Sequence, residues 1–214
     1  GLGGRLDATN VVSPLVCAIT PVSYEHTQQL GNTLREIATE KAGIIKGSYP
    51  VISAPQEEEA REVIINRCRE CAVRLYVVGS DIRYEKRGSY FDIKGAFGEY
   101  KDLQIKLIGA HQVINAALAV GVIEALSLHG IFVGIGAIKN GLRKTVWPGR
   151  LEAVSKDPLV VLDGAQNVSS AVALKEAVGS SFKYRRLIIV FGISKDKDIK
   201  GVCGQLYYLA DEVV

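Results

Sequence analysis

VISAPQEEEAREVIINRCRECAVRLYVV, residues 51–78, decides the fold class. Val51–Ser53 and Leu75–Val78 are short apolar runs of strand type, and Glu57–Ala72 between them is a charged run that reads as a helix. Strand, helix and strand in that order need a crossover connection, so the two strands are expected to pair in parallel. The chain is therefore expected to be an α/β protein.

Toward the N-terminus, Leu15–Thr20 is a further strand and Pro21–Gly31 a loop. Asn32–Gly43 reads as a helix, because Thr33 and Glu36 make a capping box at its start and Gly43 offers a stop. Toward the C-terminus, Ile82–Lys106 carries short alternating segments around Gly88, Gly95 and Gly98, the pattern of a hairpin excursion. Gln112–His129 is a long helix, apolar on most faces and so expected to be buried. Trp147-Pro-Gly-Arg150 breaks the pattern and marks a domain junction. Beyond it come a strand at Leu159–Leu162, a turn at Asp163–Asn167, a helix at Ser169–Val178, a strand at Leu187–Phe191 and a polar loop at Gly192–Asp198. That is a second αβ unit, giving two domains, 1–147 and 148–214.

The 214 residues are 48% hydrophobic and 23% charged, which is ordinary for a globular enzyme. A net charge of +3, with basic and acidic residues interspersed and no stacking-aromatic motif, argues against nucleic acid. The uninterrupted apolar runs fall short of a membrane span and no signal peptide opens the chain, so no membrane partner and a cytoplasmic location are expected. The four cysteines include Cys68-Arg-Glu-Cys71, but with no second pair or nearby histidine they read as reduced structural thiols. The abrupt Gly1 and the apolar beginning at Asp211–Val214 suggest a fragment cut at both ends.

Three polar segments follow strands: Tyr24-Glu25-His26-Thr27, Asp163-Gly-Ala-Gln-Asn167 and Ser194–Asp198. Ligands of open α/β sheets collect outside the carboxyl ends of strands, so these are the candidate site loops. At about 100° per residue, Lys41 falls on the stripe of Leu34, Ile37 and Ala38. Its ammonium must then snorkel to water or a carboxylate, or it loses its charge and becomes a reactive amine. His26, one of three histidines, is either an exposed loop residue or a metal ligand. Gln112 and Asn115 either cap the long helix or present an amide to a nucleobase. Gly1-Leu-Gly-Gly4 lacks the Gly-Lys-Ser/Thr that would make it a phosphate loop.

GLGGRLDATN at 1–10, EHTQQLG at 25–31, EKAGIIK at 40–46, GAHQVINAALA at 109–119, WPGRLE at 147–152 and LDGAQN at 162–167 together resemble the folylpolyglutamate/dihydrofolate synthase family of the Mur ligases. The resemblance implies the later part of a P-loop-type ATP-binding domain followed by the start of a Rossmann-like C-terminal domain. It implies a monomeric ligase that uses ATP and Mg²⁺ to join L-glutamate to folate or dihydropteroate through an acyl phosphate. Residue by residue, His26 corresponds to a magnesium ligand and Lys41 to a carbamylated lysine that helps hold the metal. Asn115 corresponds to an adenine contact, and Arg150 and Asp163 to groups that hold ATP from the hinge and the second domain. Asp7 is placed to hydrogen-bond a pterin ring. The phosphate loop is expected upstream of Gly1, so residues 1–214 alone should be inactive. Gln166 stands where the family has histidine and cannot carry its positive charge, which touches glutamate handling. Two other functions stay open at this point: an inactive relative serving as a binding subunit, and a Mur-type ligase for a different carboxylate.

Overall fold

The computed structural model describes residues 3–214; Gly1 and Leu2 of the opening glycine run lie outside the described residues. The chain forms two compact units, one running up to Ile105 and including Val113–Lys144, the other made of Lys106–Gln112 and Thr145–Val214.

In the first unit, β1 (Cys17–Ile19), β2 (Val51–Ser53) and β3 (Leu75–Val77) form a parallel sheet with β2 in the middle, Cys17 facing Val51 and Val51 facing Leu75. All three residues of β2 are buried, as a strand covered on both faces must be. Between β1 and β2 run the short α1 (Thr27–Leu30) and α2 (Leu34–Ala42), and α3 (Glu58–Glu70) crosses from β2 to β3. The capping box expected at Thr33 and Glu36 is formed in both directions. Ile37, Ala38 and Ala42 of α2 pack with Ala60, Ile64 and Cys68 of α3, the i, i+4, i+8 stripe of that helix, against Cys17, Ile19 and Val51. Burying one aliphatic side chain of this kind contributes about 1.5–3 kcal/mol.

The glycine-marked excursion is an antiparallel sheet of β4 (Arg83–Arg87), β5 (Tyr90–Lys94) and β6 (Glu99–Leu103). Its inward residues Phe91, Ile93 and Leu103 meet Val113, Ala116, Ala117 and Val120 of α4 (Ala110–Ala125). With the 3₁₀ turn Leu126–His129, α4 makes a 20-residue helical stretch of mean hydropathy 1.4, long and apolar enough to cross a membrane. That corrects the expectation from the sequence: His111, Gln112, Asn115 and Glu124 interrupt the apolar run but not the helix. Half of that stretch is buried inside the protein, against its own core. A further helix, α5 (Ile135–Lys144), follows, with Ile135, Ile138 and Leu142 at helical spacing.

The second unit pairs β7 (Glu152–Lys156) with β8 (Leu159–Leu162) antiparallel, and β9 (Ile188–Ile189) with β10 (Glu212–Val213) parallel. The helices α6 (Val168–Ser181) and α7 (Ile199–Leu206) pack through Ala171, Leu174, Val202 and Leu206. Asn167 caps α6 by accepting from the Ser170 amide, so the last residue of LDGAQN is a helix start.

Candidate functional site

In the first unit Lys41 and the segment bearing Asp7 meet at the C-terminal end of α2, and His26 adjoins the Glu25 that pairs with Lys41. Lys41 lies in its last turn, and its Nζ donates to Glu25 Oε1 at 2.6 Å, both side chains being about a quarter exposed, at 26%. The apolar-stripe placement thus ends in an ammonium–carboxylate pair, with Ile37 and Ala38 fully buried beside it. His26, next to Glu25, precedes α1 in the left-handed region with φ 49°. A non-glycine residue there is uncommon and is tolerated where the surroundings fix it. The His26 ring does not cap α1 and makes no hydrogen bond among the described residues.

The segment of residues 3–12 lies across the C-terminal end of α2. Gly4 sits so close that a Cβ there would come within 2.7 Å of the Lys41 carbonyl oxygen and 2.8 Å of that of Glu40. Gly43 faces it in the same way, since a Cβ would meet Arg5 Cβ at 2.4 Å. Gly43 has φ −60°, so glycine is required there by close approach and not by a left-handed cap. Arg5 donates its amide to the Glu40 carbonyl at 2.8 Å and its guanidinium to Glu40 Oε1 at 3.1 and 2.9 Å. Asp7 caps the 3₁₀ turn Ala8–Val11 by accepting from the Thr9 amide at 2.9 Å and the Thr9 hydroxyl at 2.6 Å. Those two donors hold its carboxyl down at about 2, so it is a carboxylate at any working pH. Asn115 is half-buried on α4, one helical turn from the buried Gln112.

In the second unit WPGRLE and LDGAQN are tied together. Asp163 accepts from the Leu151 amide through Oδ2 at 2.9 Å and from the Ala165 amide through Oδ1 at 2.8 Å. Leu151 is itself in the left-handed region, φ 46°, and Glu152 Oε2 takes the Gly149 amide at 2.7 Å. Arg150 is exposed at the head of this turn, and the Gln166 side chain is exposed and makes no hydrogen bond among the described residues.

His111 belongs to the same unit and is a site residue that the sequence does not distinguish, although it lies in the GAHQ stretch. Gly109, at φ 112°, lies under its ring: a Cβ there would fall 2.5 Å from His111 Cε1. Gln112 Nε2 is 2.9 Å from His111 Nε2, so the buried amide and the ring share a hydrogen bond. Burial, and next the Arg150 guanidinium, lower the His111 pKa against the opposing pull of Asp163 and Glu176. The sequence signal is one of three histidines two residues after a glycine, which periodicity ranks no higher than any helix start.

Among the described residues no group of three or more His, Cys, Asp or Glu side chains is arranged to hold a metal ion. The four cysteines are unpaired, and burial pushes the thiols of Cys17 and Cys68 up to about 12 and about 11, which makes them poor nucleophiles and poor ligands.

Residues 1–123 match the Mur ligase middle domain and residues 149–214 the Mur ligase glutamate ligase domain. A dihydrofolate synthase/folylpolyglutamate synthase of Bacillus subtilis is 38% identical over 219 residues, covering all of this chain and 51% of that protein. Its Mycobacterium tuberculosis counterpart is 33% identical over 233 residues, with 100% and 47% covered. Among solved structures, Mycobacterium tuberculosis folylpolyglutamate synthase complexed with ADP and AMPPCP superposes with a TM-score of 0.89 at 31% identity, covering 100% of this chain and 50% of that one. E. coli FolC in complex with DHPP and ADP gives 0.90 at 32% identity, with the same 100% and 50% covered. The parallel βαβ layer, the second αβ unit and these matches define a Mur ligase, built from parts of its middle and C-terminal domains. Within that class the chain belongs to the folylpolyglutamate synthase/dihydrofolate synthase family. It spans about half the length of the curated relatives it matches.

Proposed function

We propose that the full-length protein is a cytoplasmic, monomeric, ATP-dependent ligase that adds L-glutamate to folate, and to dihydropteroate as a second substrate. The observation that carries this reading is the docking of the Asp7-bearing segment onto the end of α2 that bears Lys41, through Gly4, Gly43, Arg5 and Glu40. One rigid element then presents an acceptor for a pterin's N–H donors and a lysine near the place where a substrate carboxylate is activated. Relatives solved with ADP, AMPPCP, DHPP and folate support the choice of ligands.

Asp7, ionised and half-buried, orients the pterin ring by accepting from it. Asn115 offers an amide to the adenine edge, and Arg150 a guanidinium to phosphate. Asp163 spends one hydrogen bond from each oxygen on backbone amides, so its first duty is to hold the Arg150 turn in shape. Gln166 stands ready for a hydrogen bond to glutamate without the charge a histidine would add.

Magnesium would neutralise the ATP phosphates during transfer. The donors here suit it only as an open set, in which His26 and a carbamylated Lys41 are completed by phosphates and water, because Mg²⁺ keeps several waters and takes few protein ligands. As an ammonium paired with Glu25, Lys41 is not a ligand; carbamylation would make it an anion and release that carboxylate. The carboxylate oxygen of the substrate attacks the terminal phosphorus of ATP, ADP leaves, and the glutamate amine displaces phosphate to form the amide. The chain's residues align these partners and exclude water. The test is the full-length protein with ATP, magnesium, glutamate and a pteroate substrate. Glutamylated product and ADP are expected in equal amounts; ATP turnover without ligation, or ligation of glutamate to no pteroate, contradicts the proposal.

A further inference from the structure

Lys46 lies four residues beyond the end of α2, exposed, and its backbone amide donates to Tyr49 Oη at 2.9 Å. Tyr49 is buried and in turn donates to the Ile44 carbonyl at 2.8 Å, so the base of the Lys46 side chain starts from a fixed point. From there Nζ reaches back across the segment of residues 3–12 and donates to the carbonyl oxygens of Asn10 and, at 3.0 Å, Val12. These carbonyls close the 3₁₀ turn that Asp7 opens, and a cation suits that end. Asn10 adds a second tie, its Nδ2 donating to the carbonyls of Arg5 at 3.1 Å and Gly43 at 3.2 Å. Arg5 with Glu40 supplies a third.

We propose that Lys46 is a positioning residue, the clamp that sets the Asp7 turn against α2 and so fixes the distance between the pterin-binding carboxylate and Lys41. The segment itself buries little: Leu6, Val11 and Val12 are exposed large hydrophobics, so apolar packing does not hold it in place. Polar ties must do so, and Lys46 is the residue that reaches its far end. The substrate-binding consequence rests on the proposed function; the clamping does not.

The test uses the full-length protein with Lys46→Met, Lys46→Arg and Arg5→Gln, reading amide hydrogen exchange across residues 3–12 together with kcat and KM for each substrate. In Lys46→Met exchange should speed up about tenfold, as expected for losing a charged hydrogen bond, and KM for the pteroate substrate should rise by about the same factor. The KM for ATP should not move. Lys46→Arg, which can reach the same carbonyls, should restore both, and Arg5→Gln should reproduce the exchange effect from the other end. Unchanged exchange in Lys46→Met overturns the inference, as does faster exchange with an unaltered pteroate KM. A wild-type protein that ligates glutamate to no pteroate substrate overturns the proposed function instead, and the exchange measurements still decide the clamp.

Discussion

Lys41 Nζ and Glu25 Oε1 stand 2.6 Å apart at the end of α2, joining two segments that are 16 residues apart in sequence. The pair shows how an amine on an apolar helix face avoids the cost of desolvation, and it sets what must change before that amine can act. Replacing Lys41 by Ala in the full-length protein should lower kcat about a hundredfold or more while leaving the fold intact, since a small residue suits that face. Short carboxylic acids, standing in for a carbamate, should restore part of the loss. Lys41→Arg should stay inactive, because a guanidinium keeps its charge. Near-normal turnover by Lys41→Arg would return the residue to a purely structural role. Glu25→Gln removes the carboxylate 2.6 Å from Nζ, which would repel an anionic carbamate, so carbamate occupancy read by NMR with isotope-labelled bicarbonate should rise; unchanged occupancy would mean that Glu25 does not restrain the amine.

His111 should make the second unit sensitive to acid. Its pKa is lowered from the ordinary 6.5 by burial and then by Arg150, so below 6.5 the unfolded chain binds the proton first. Stability is then complete above 6.5, falls as pH drops from there toward the folded-state value, and levels off below it. Denaturant titrations at pH 7.5 to 5 should show this slope in the wild type and lose most of it in His111→Gln. An equal slope in the variant would place the titration elsewhere.

Glu124 should act with the opposite sign. The residue is 5% exposed, its Oε2 accepts from the Ala96 amide at 3.0 Å, and its Oε1 has no partner among the described residues. Burial raises its pKa, against the pull of the Ala96 amide and the Tyr100 hydroxyl. A raised carboxyl contributes stability that is present below the unfolded-state value of 4.5 and is lost as pH rises through the folded-state value. Above that the carboxylate still anchors the turn at Gly95, where a Cβ would come within 2.1 Å of it. Glu124→Gln should flatten this pH dependence, and Gly95→Ala should destabilise the β5–β6 hairpin, as measured by exchange of its amides. A Gly95→Ala hairpin as protected as the wild type would contradict the packing.

Much of the fold was legible because it rests on local chemistry. The Thr33–Glu36 box, the buried run Val51–Ser53 and the charged helix between two strands each announce themselves within a few residues. Strand β7 did not, since Glu152–Lys156 is mostly exposed; helix α5 carries Ile135, Ile138 and Leu142 at helical spacing but buries only Ile138. At the site, Lys41 could be placed on a face by periodicity, but its partner could not, because Glu25 arrives from a different segment. The same holds for Arg5 with Glu40, for Lys46 with Asn10 and for Leu151 with Asp163. Contacts between distant segments carry the site, and no period within one element encodes them. Gly43 does stop α2, as the sequence suggests, but the reason it must be glycine, the space taken by Arg5, comes from a distant segment.

The chemistry assigned to these residues is decided by following one oxygen. If a substrate carboxylate attacks ATP, the oxygen that forms the bond to phosphorus leaves with phosphate when glutamate takes its place. The full-length protein should be given a pteroate substrate whose carboxylate carries heavy oxygen, with ATP, magnesium and glutamate. The expected result is one labelled oxygen in the released inorganic phosphate for each amide formed. Amide formation with unlabelled phosphate would contradict the acyl-phosphate mechanism.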